Sequence, residues 1–361
     1  MDRFKAIIAA GGKGARLQPL TFTSNKHLIP IANKPLLLYA IENIVAAGIK
    51  NIGIIVNESR PAIENLLGDG ASWKVKITYI DQEQPLGVAH VIKISQEFLA
   101  EDPFIYHLGD NIFTAGIRYL LEQFLKTKSD AMFTVIEHEE NFRLGVPFFE
   151  NGKLVKVAEK PKNPPNKFGI PGLYFFNSNV FKAFSGKEAI KPSARGELEI
   201  TDVFNFLLSH GYQVDVAKLK GKWLDPGKFD DSLEANRILL ELNCKRESKG
   251  NVDKKSKITG EVSIGKKTIV KNSRINGPSS IGENVHIENS NIGPNTSIAS
   301  GCKIVNSAVE NTIIMEGTEI INYSFNIKES MIGKNSIIQG KHYANPTCKL
   351  IISDTSQIEI S

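Results

Sequence analysis

The sequence predicts two folded parts: an α/β domain on a mostly parallel sheet, then a parallel β-solenoid of three-sided coils. Three observations predict it. Over the first ~240 residues short β-rich runs alternate with amphipathic stretches, a charged segment then breaks the rhythm, and from Ile258 aliphatic residues recur with a period of 17. The 361 residues, 41% of them hydrophobic, hold enough apolar material for two cores and exclude a wholly disordered chain. No run of ~18 apolar residues occurs. The start, MDRFKAIIAAGGKG, turns to glycine and charge after one short strand, so neither a spanning helix nor a secretory signal is expected and the protein is placed in the cytoplasm. Cys244, Cys302 and Cys348 lie far apart without a C-x-x-C pair, which argues against a disulfide framework and a structural zinc site. A net charge of +5 is too small and dispersed for a nucleic-acid footprint, yet it suits small polyanions.

The expected strands of the first part are Phe4 to Ala10, Asn51 to Val56, Val75 to Ile80, Phe104 to Leu108 and Ala131 to Ile136. Between them, Pro35 to Ala47 sets Leu37, Leu38, Ile41, Ile44 and Val45 on one helical face, and Gly48 follows where a helix C-terminus favours a left-handed residue. Ser59 to Leu67 ends the same way at Gly68. From Gly145 the pattern shortens into strands and turns, read as a smaller antiparallel portion, before a closing helix, Phe229 to Leu242. The catalytic part is therefore drawn as residues 1–243, with 244–257, charged and poor in large apolar side chains, as a linker.

Residues 258–361 are drawn as the solenoid. Positions 264, 281, 298, 315 and 332 read Ile, Ile, Ile, Met, Ile; positions 270, 287, 304, 321 and 338 read Val and four Ile; positions 258, 275, 292, 309 and 326 read Ile, Ile, Ile, Val, Asn. Three aliphatic columns at roughly hexapeptide spacing fit a triangular coil that points one side chain inward from each side, and the array resembles a left-handed parallel β-helix of hexapeptide repeats. Gly265, Gly282 and Gly333 follow their column residues directly and are expected at tight corners. Tyr343 to Ser361 is expected to cover the open end, anchored by Leu350-Ile351-Ile352.

Chemistry is expected where the first strand runs into Gly11-Gly12-Lys13-Gly14-Ala15-Arg16. Glycines let backbone N–H groups approach a polyphosphate, and Lys13 and Arg16 add positive charge to the same loop. The spacing fits neither the Walker loop nor the dinucleotide fingerprint. Gly-Gly-x-Gly-x-Arg-Leu-x-Pro-Leu-Thr, then Asn25-Lys26-His27-Leu28-Ile29-Pro30, Leu108-Gly109-Asp110-Asn111, Glu159-Lys160-Pro161, Gly172-Leu173-Tyr174-Phe175, Ala194 to Asp202 and Trp223-Leu224-Asp225 occur in that order. Together they resemble the sugar-nucleotide pyrophosphorylases, most closely the thymidylyl-transferring members in their long form with an appended β-helix.

The resemblance implies a Rossmann-like nucleotidyltransferase domain. It implies Mg²⁺-dependent transfer from dTTP to glucose 1-phosphate, giving dTDP-glucose and pyrophosphate. Gly11, Gly12, Arg16 and Lys26 would then hold the triphosphate, and Gln82 and Gly87 would face the base. Asp110 and Asp225 would hold the metal, Lys160 and Arg195 would receive the sugar phosphate, and Gly145, Glu159, Gly172 and Tyr174 would shape the sugar pocket. Arg16, Lys26, Asp110, Lys160 and Asp225 form the catalytic set. Where thymidylyltransferases often carry Lys-Gln-Leu-Leu-Pro, this chain has His27 and Ile29, and Pro226 replaces a usual Thr.

Three other readings stay open. UTP or another triphosphate could replace dTTP, because a few pocket contacts decide base choice. An acyl-transfer activity of the β-helix would need a histidine base, for which only His286 and His342 stand in the repeat region; alternation points His286 outward. A non-catalytic assembly subunit would share the architecture but usually lack the arginine or the carboxylates retained here. Neither nucleic acid nor membrane is an expected partner, and the solenoid is expected to mediate homo-oligomerisation.

Overall fold

The computed structural model describes residues 3–12, 14–323, 326–340, 347–348 and 350–360. The chain divides into two compact units, Met1–Gly12 with Leu37–Leu224 and Lys13–Leu36 with Asp225–Ser361. This division differs from the expected boundaries at 243 and 258, because residues 13–36 and 225–257 group with the second unit.

The first unit is built on an eight-stranded sheet. Its main strands are β1 (Lys5–Ala9), β2 (Asn51–Val56), β3 (Lys76–Asp81), β4 (Phe104–Leu108), β5 (Ala131–Glu137), β8 (Leu173–Phe176) and β9 (Val214–Lys218), in the order β3-β2-β1-β4-β8-β5-β9. Strand β8 runs antiparallel to both neighbours, while the other pairings among these strands are parallel. A separate antiparallel pair, β6 (Gly145–Glu150) and β7 (Lys153–Glu159), is the smaller portion expected after Gly145. Strands such as AIIA and GIIV read as near-continuous apolar runs because both faces of a parallel sheet are covered, here by helices α1 (Leu36–Ala46), α2 (Arg60–Leu67), α3 (Val88–Ile94), α4 (Arg118–Thr127) and α5 (Ile200–Ser209). Phe104, Tyr106, Phe133, Tyr174, Phe176 and Phe204 fill one core beside the aliphatics of α3 and α5.

In the second unit, helix α6 (Phe229–Asn243) precedes the solenoid. Parallel pairing links Ile264, Ile281, Ile298, Ile314, Ile332 and Ile352 in one column, Val270, Ile287, Ile304, Ile320 and Ile338 in another, and Ile258, Ile275, Ile292, Val309 and Ile327 in the third. The expected 17-residue register therefore holds as far as Ile304 and Val309 and then slips. Ile298 pairs with Ile314, sixteen residues on, and Val309 with Ile327, eighteen on, so Met315, Ile321 and Asn326 are not the column residues.

The glycines expected at corners serve a different purpose. A Cβ on Gly265 would lie 2.4 Å from Gly282 O, one on Gly282 2.6 Å from Ser300 N, and one on Gly333 2.4 Å from Ser353 C, so close coil-on-coil approach demands them, without positive φ. The left-handed corners belong mainly to asparagine: Asn272, Asn289, Asn306 and Asn322 have φ of 44°, 50°, 49° and 55°. A serine follows the first three and Tyr323 the fourth, stacked in register: Ser273 Oγ accepts from Ser290 N, Ser290 Oγ from Ser307 N and Ser307 Oγ from Tyr323 N.

The expected linker contributes to the coil, since Glu247–Ser248 and Asn251–Val252 pair in parallel with the strands at 263–264 and 269–270. Likewise the tail adds a further turn instead of closing the end: Ile351–Ile352 pairs with Met331–Ile332 and Gln357–Ile360 with Ile337–Gly340. His342 and Tyr343 lie outside the described residues.

Candidate active site

In the first unit, β1 ends beside Gly11, whose carbonyl accepts from Asn57 Nδ2 at 2.8 Å. A Cβ on Gly11 would stand 3.4 Å from Gln82 Oε1, so the Gln82 amide lies over this glycine at the carboxyl ends of β1 and β3. Gln82 also pairs with His90 Nδ1 at 3.2 Å; burial, with Lys93 adding to it, lowers the His90 pKa and favours the neutral ring. Gly87 adopts φ +103°, and a Cβ there would strike Leu198 O at 2.6 Å. The backbone at Leu86 and Ala89 bonds that same Leu198, so Gly87 lets the base-side loop lie flat on the chain before α5. Lys13 lies outside the described residues.

Asp110 stands two residues beyond the end of β4, after Gly109. Its Oδ1 accepts from Asn111 Nδ2 at 2.9 Å, while Asn111 Oδ1 accepts from Gly172 N at 3.3 Å and from Trp223 Nε1. One asparagine thus joins the expected metal ligand, the sugar-pocket glycine and the strand pair around Trp223. Gly172 is pinned by space, since a Cβ would fall 2.3 Å from Leu108 Cδ1. Tyr174 is buried beside Tyr106, and burial, followed by the Glu159 and Asp110 carboxylates, drives its phenol well above the ordinary range.

Glu159 ends β7 and Lys160 follows it. Lys160 takes φ +44°, a left-handed conformation costly for a residue with a side chain, and its N–H donates to Leu144 O at 3.0 Å. Lys160 Nζ lies 3.1 Å from Glu159 Oε1, which Arg195 approaches at 3.4 Å; Arg195 is held chiefly by Glu199 at 2.8 Å, itself bonded by Ser193 Oγ. Both cations line a cavity of about 500 Å³ with Glu159, Ser193, Thr201 and Asp202. Gly145 borders it through Thr201, whose methyl would stand 3.1 Å from a Cβ at that glycine.

In the second unit, Arg16 and Asp225 flank Gly227: a Cβ there would stand 3.0 Å from an Arg16 guanidinium nitrogen and 3.2 Å from Asp225 Oδ1. Gly14, at φ +64°, backs onto Lys26 and Thr21, and Thr21 Oγ1 donates to Gly14 O at 2.8 Å. His27, the residue that departs from the usual pattern, is buried, its ring and N–H both bonded to Asn25 Oδ1, so it packs inward beside Lys26. His286 is turned outward onto Glu288 at 2.8 Å, as alternation predicts.

Asn111, Glu199 and Thr21 were not singled out by sequence reasoning. Each acts through hydrogen bonds to a residue that was, and its only signal in the sequence was its place inside one of the quoted motifs. Among the described residues no three His, Cys, Asp or Glu side chains converge on one point, and no helix is long and apolar enough to cross a membrane.

Comparison with known proteins identifies the family of the chain. The Nucleotidyl transferase family matches residues 5–241. The chain is 39% identical to a low-salt glycan biosynthesis nucleotidyltransferase of Haloferax volcanii, over 99% of this chain and 100% of that one. It is 37% identical to a glucose-1-phosphate thymidylyltransferase of Streptomyces griseus, with 99% of each covered. A crystal structure from Bacillus anthracis, named for glucose-1-phosphate thymidylyltransferase and holding sucrose, superposes with a TM-score of 0.62 at 34% identity, covering 66% of this chain and 96% of that one. With the family matched across residues 5–241 and relatives at 37–39% identity aligned over nearly their full length, this chain belongs to the nucleotidyl transferase family.

Proposed function

We propose that the protein transfers a thymidylyl group from dTTP to glucose 1-phosphate. The observation that carries this reading is the cavity where Lys160, bent into a left-handed turn, and Arg195 present two cations beside Glu159. Cations receive the sugar phosphate there, and Glu159 accepts from sugar hydroxyls.

The reaction moves no proton. A phosphate oxygen of the sugar attacks the α-phosphorus, the bond from that phosphorus to the β-phosphate oxygen breaks, and its electron pair leaves with pyrophosphate. The protein therefore supplies positioning and countercharge. Backbone at Gly11 and Gly12 and the cations of Arg16 and Lys26 bind the triphosphate, while the Gln82 amide and the loop at Gly87 take the base. Asp110 and Asp225 offer the hard carboxylate oxygens that suit Mg²⁺, which keeps waters and phosphate oxygens in its shell. When bound, the cation neutralises charge on the α-phosphate. Asn111 holds the Asp110 carboxylate in one orientation before substrate arrives.

Pyrophosphate release from glucose 1-phosphate with each nucleoside triphosphate tests the assignment. dTTP should give the highest kcat/KM; equal values for dTTP and UTP remove the thymidylyl part, because the Gln82 amide pairs with either base. Asp110→Asn should lower kcat by about 100-fold or more without matching loss of stability; near-native turnover at saturating Mg²⁺ contradicts its metal role. We also infer a homo-oligomer, to be read by sedimentation velocity.

A further inference from the structure

The segment that carries Arg16 and Lys26 belongs, by packing, to the solenoid unit. It ends in a hairpin, Pro30–Ile31 paired with Lys34–Pro35, whose two loop residues Ala32 and Asn33 both have positive φ, 50° and 61°. The hairpin is clamped at its tip. Asn33 Nδ2 donates to Ser280 O at 2.9 Å, Ser280 Oγ at 3.0 Å and Ile298 O at 2.9 Å, all on successive coils. Ala32 N donates at 2.9 Å to Asn236 Oδ1 on α6. Asn236 is fully buried and also accepts from Ser297 Oγ at 2.7 Å and donates to Asn295 O at 2.9 Å. Upstream, Thr23 Oγ1 donates to Asp354 Oδ2 at 3.0 Å in the last described turn.

We propose that the solenoid is the platform that sets the triphosphate-binding segment, with Asn33 and Asn236 as positioning residues that fix Lys26 through the hairpin and the turn Lys26–Leu28. Only four residues separate Lys26 from Ile31, and Leu36 N closes back onto Ile29 O at 3.1 Å, so a shift at the hairpin tip is carried to the lysine. Elementary cost supports a purpose: an alanine held at φ 50° is unfavourable by itself and persists because the surrounding bonds over-determine it. A solenoid serving only self-association has no need of two amides committed to this loop.

The inference rests on the reading of Lys26 as a triphosphate ligand, and its test separates the two. In the full-length protein, Asn33→Asp keeps shape but sets a carboxylate against the Ser280 and Ile298 carbonyls, and Asn33→Gly keeps the backbone conformation but deletes the amide. Both should raise KM for the nucleoside triphosphate roughly tenfold with KM for the sugar 1-phosphate unchanged. In a Lys26→Ala background the same changes should add little, because the positioned group is gone. If Lys26→Ala alone leaves the triphosphate KM unchanged, the underlying reading fails. If Lys26→Ala raises it while both Asn33 variants do not, or if the effects of Asn33 and Lys26 multiply, the platform role is overturned. A fall in kcat and a rise in both KM values that follow the melting temperature would likewise assign Asn33 to stability alone and overturn it.

Discussion

His107 shows how one buried side chain couples the sheet to solution conditions. It lies fully buried on β4, donates from Nδ1 to Leu108 O at 2.7 Å, and leaves Nε2 without a partner. Burial, only partly opposed by that carbonyl and by Asp110, pushes its pKa down to about 4. The unfolded chain binds the proton near pH 6.5 and the folded chain does not, so the stabilising effect is full above 6.5. It is lost as pH falls through the interval to about 4, by roughly 3 kcal/mol in all. Urea unfolding at pH 7.5 and 4.5 measures the difference, and His107→Leu should flatten it. An equally steep loss in that variant would place the acid sensitivity elsewhere.

At the scale of one coil, asparagine decides the corner. Asn289 sits at φ 50° and accepts from Asn272 Nδ2 at 2.7 Å. Asn289→Ala should cost about 1–2 kcal/mol from left-handed strain alone, with Asn289→Gly losing less because glycine meets no such penalty. Thermal unfolding ranks the two, and equal melting temperatures would remove the backbone argument. The same corners mark what the sequence could and could not show. The columns through Ile298 were legible because an aliphatic residue recurred at a constant 17-residue interval, even where Ile269 stands beside Val270. At Ile313-Ile314-Met315 and Ile320-Ile321 neighbouring aliphatics offered rival registers, and a sixteen-residue coil followed by an eighteen-residue one hid the choice. Strands β1 and β2 were legible for a related reason, being nearly unbroken apolar runs, and β3 to β5 kept apolar residues around Thr78, His107 and Thr134. In the site, glycines and charged residues announced themselves through the order of motifs. Asn33 and Asn236 did not, because asparagine is common in turns and the role of each comes from partners far away in sequence.

Across the whole molecule, segment 13–36 should open and close with the coils, since its anchoring bonds end on Ser280, Ile298, Asn236 and Asp354. Amide exchange reads such cooperative units directly, because residues that open together share one free energy. Ile292 is buried in the column that joins Ile275 to Val309, and Ile292→Ala leaves a cavity costing about 2–5 kcal/mol. That loss should appear as faster exchange at the coil amides and equally at Leu28 and Ile29, whose N–H groups are bonded to Asn25 and Lys26 carbonyls. Amides of β1 and β2, whose bonds lie within the other unit, should keep their protection. If Leu28 and Ile29 stay as protected as β1 while the coils loosen, the segment draws its order from the α/β sheet, and the solenoid is a passive appendage.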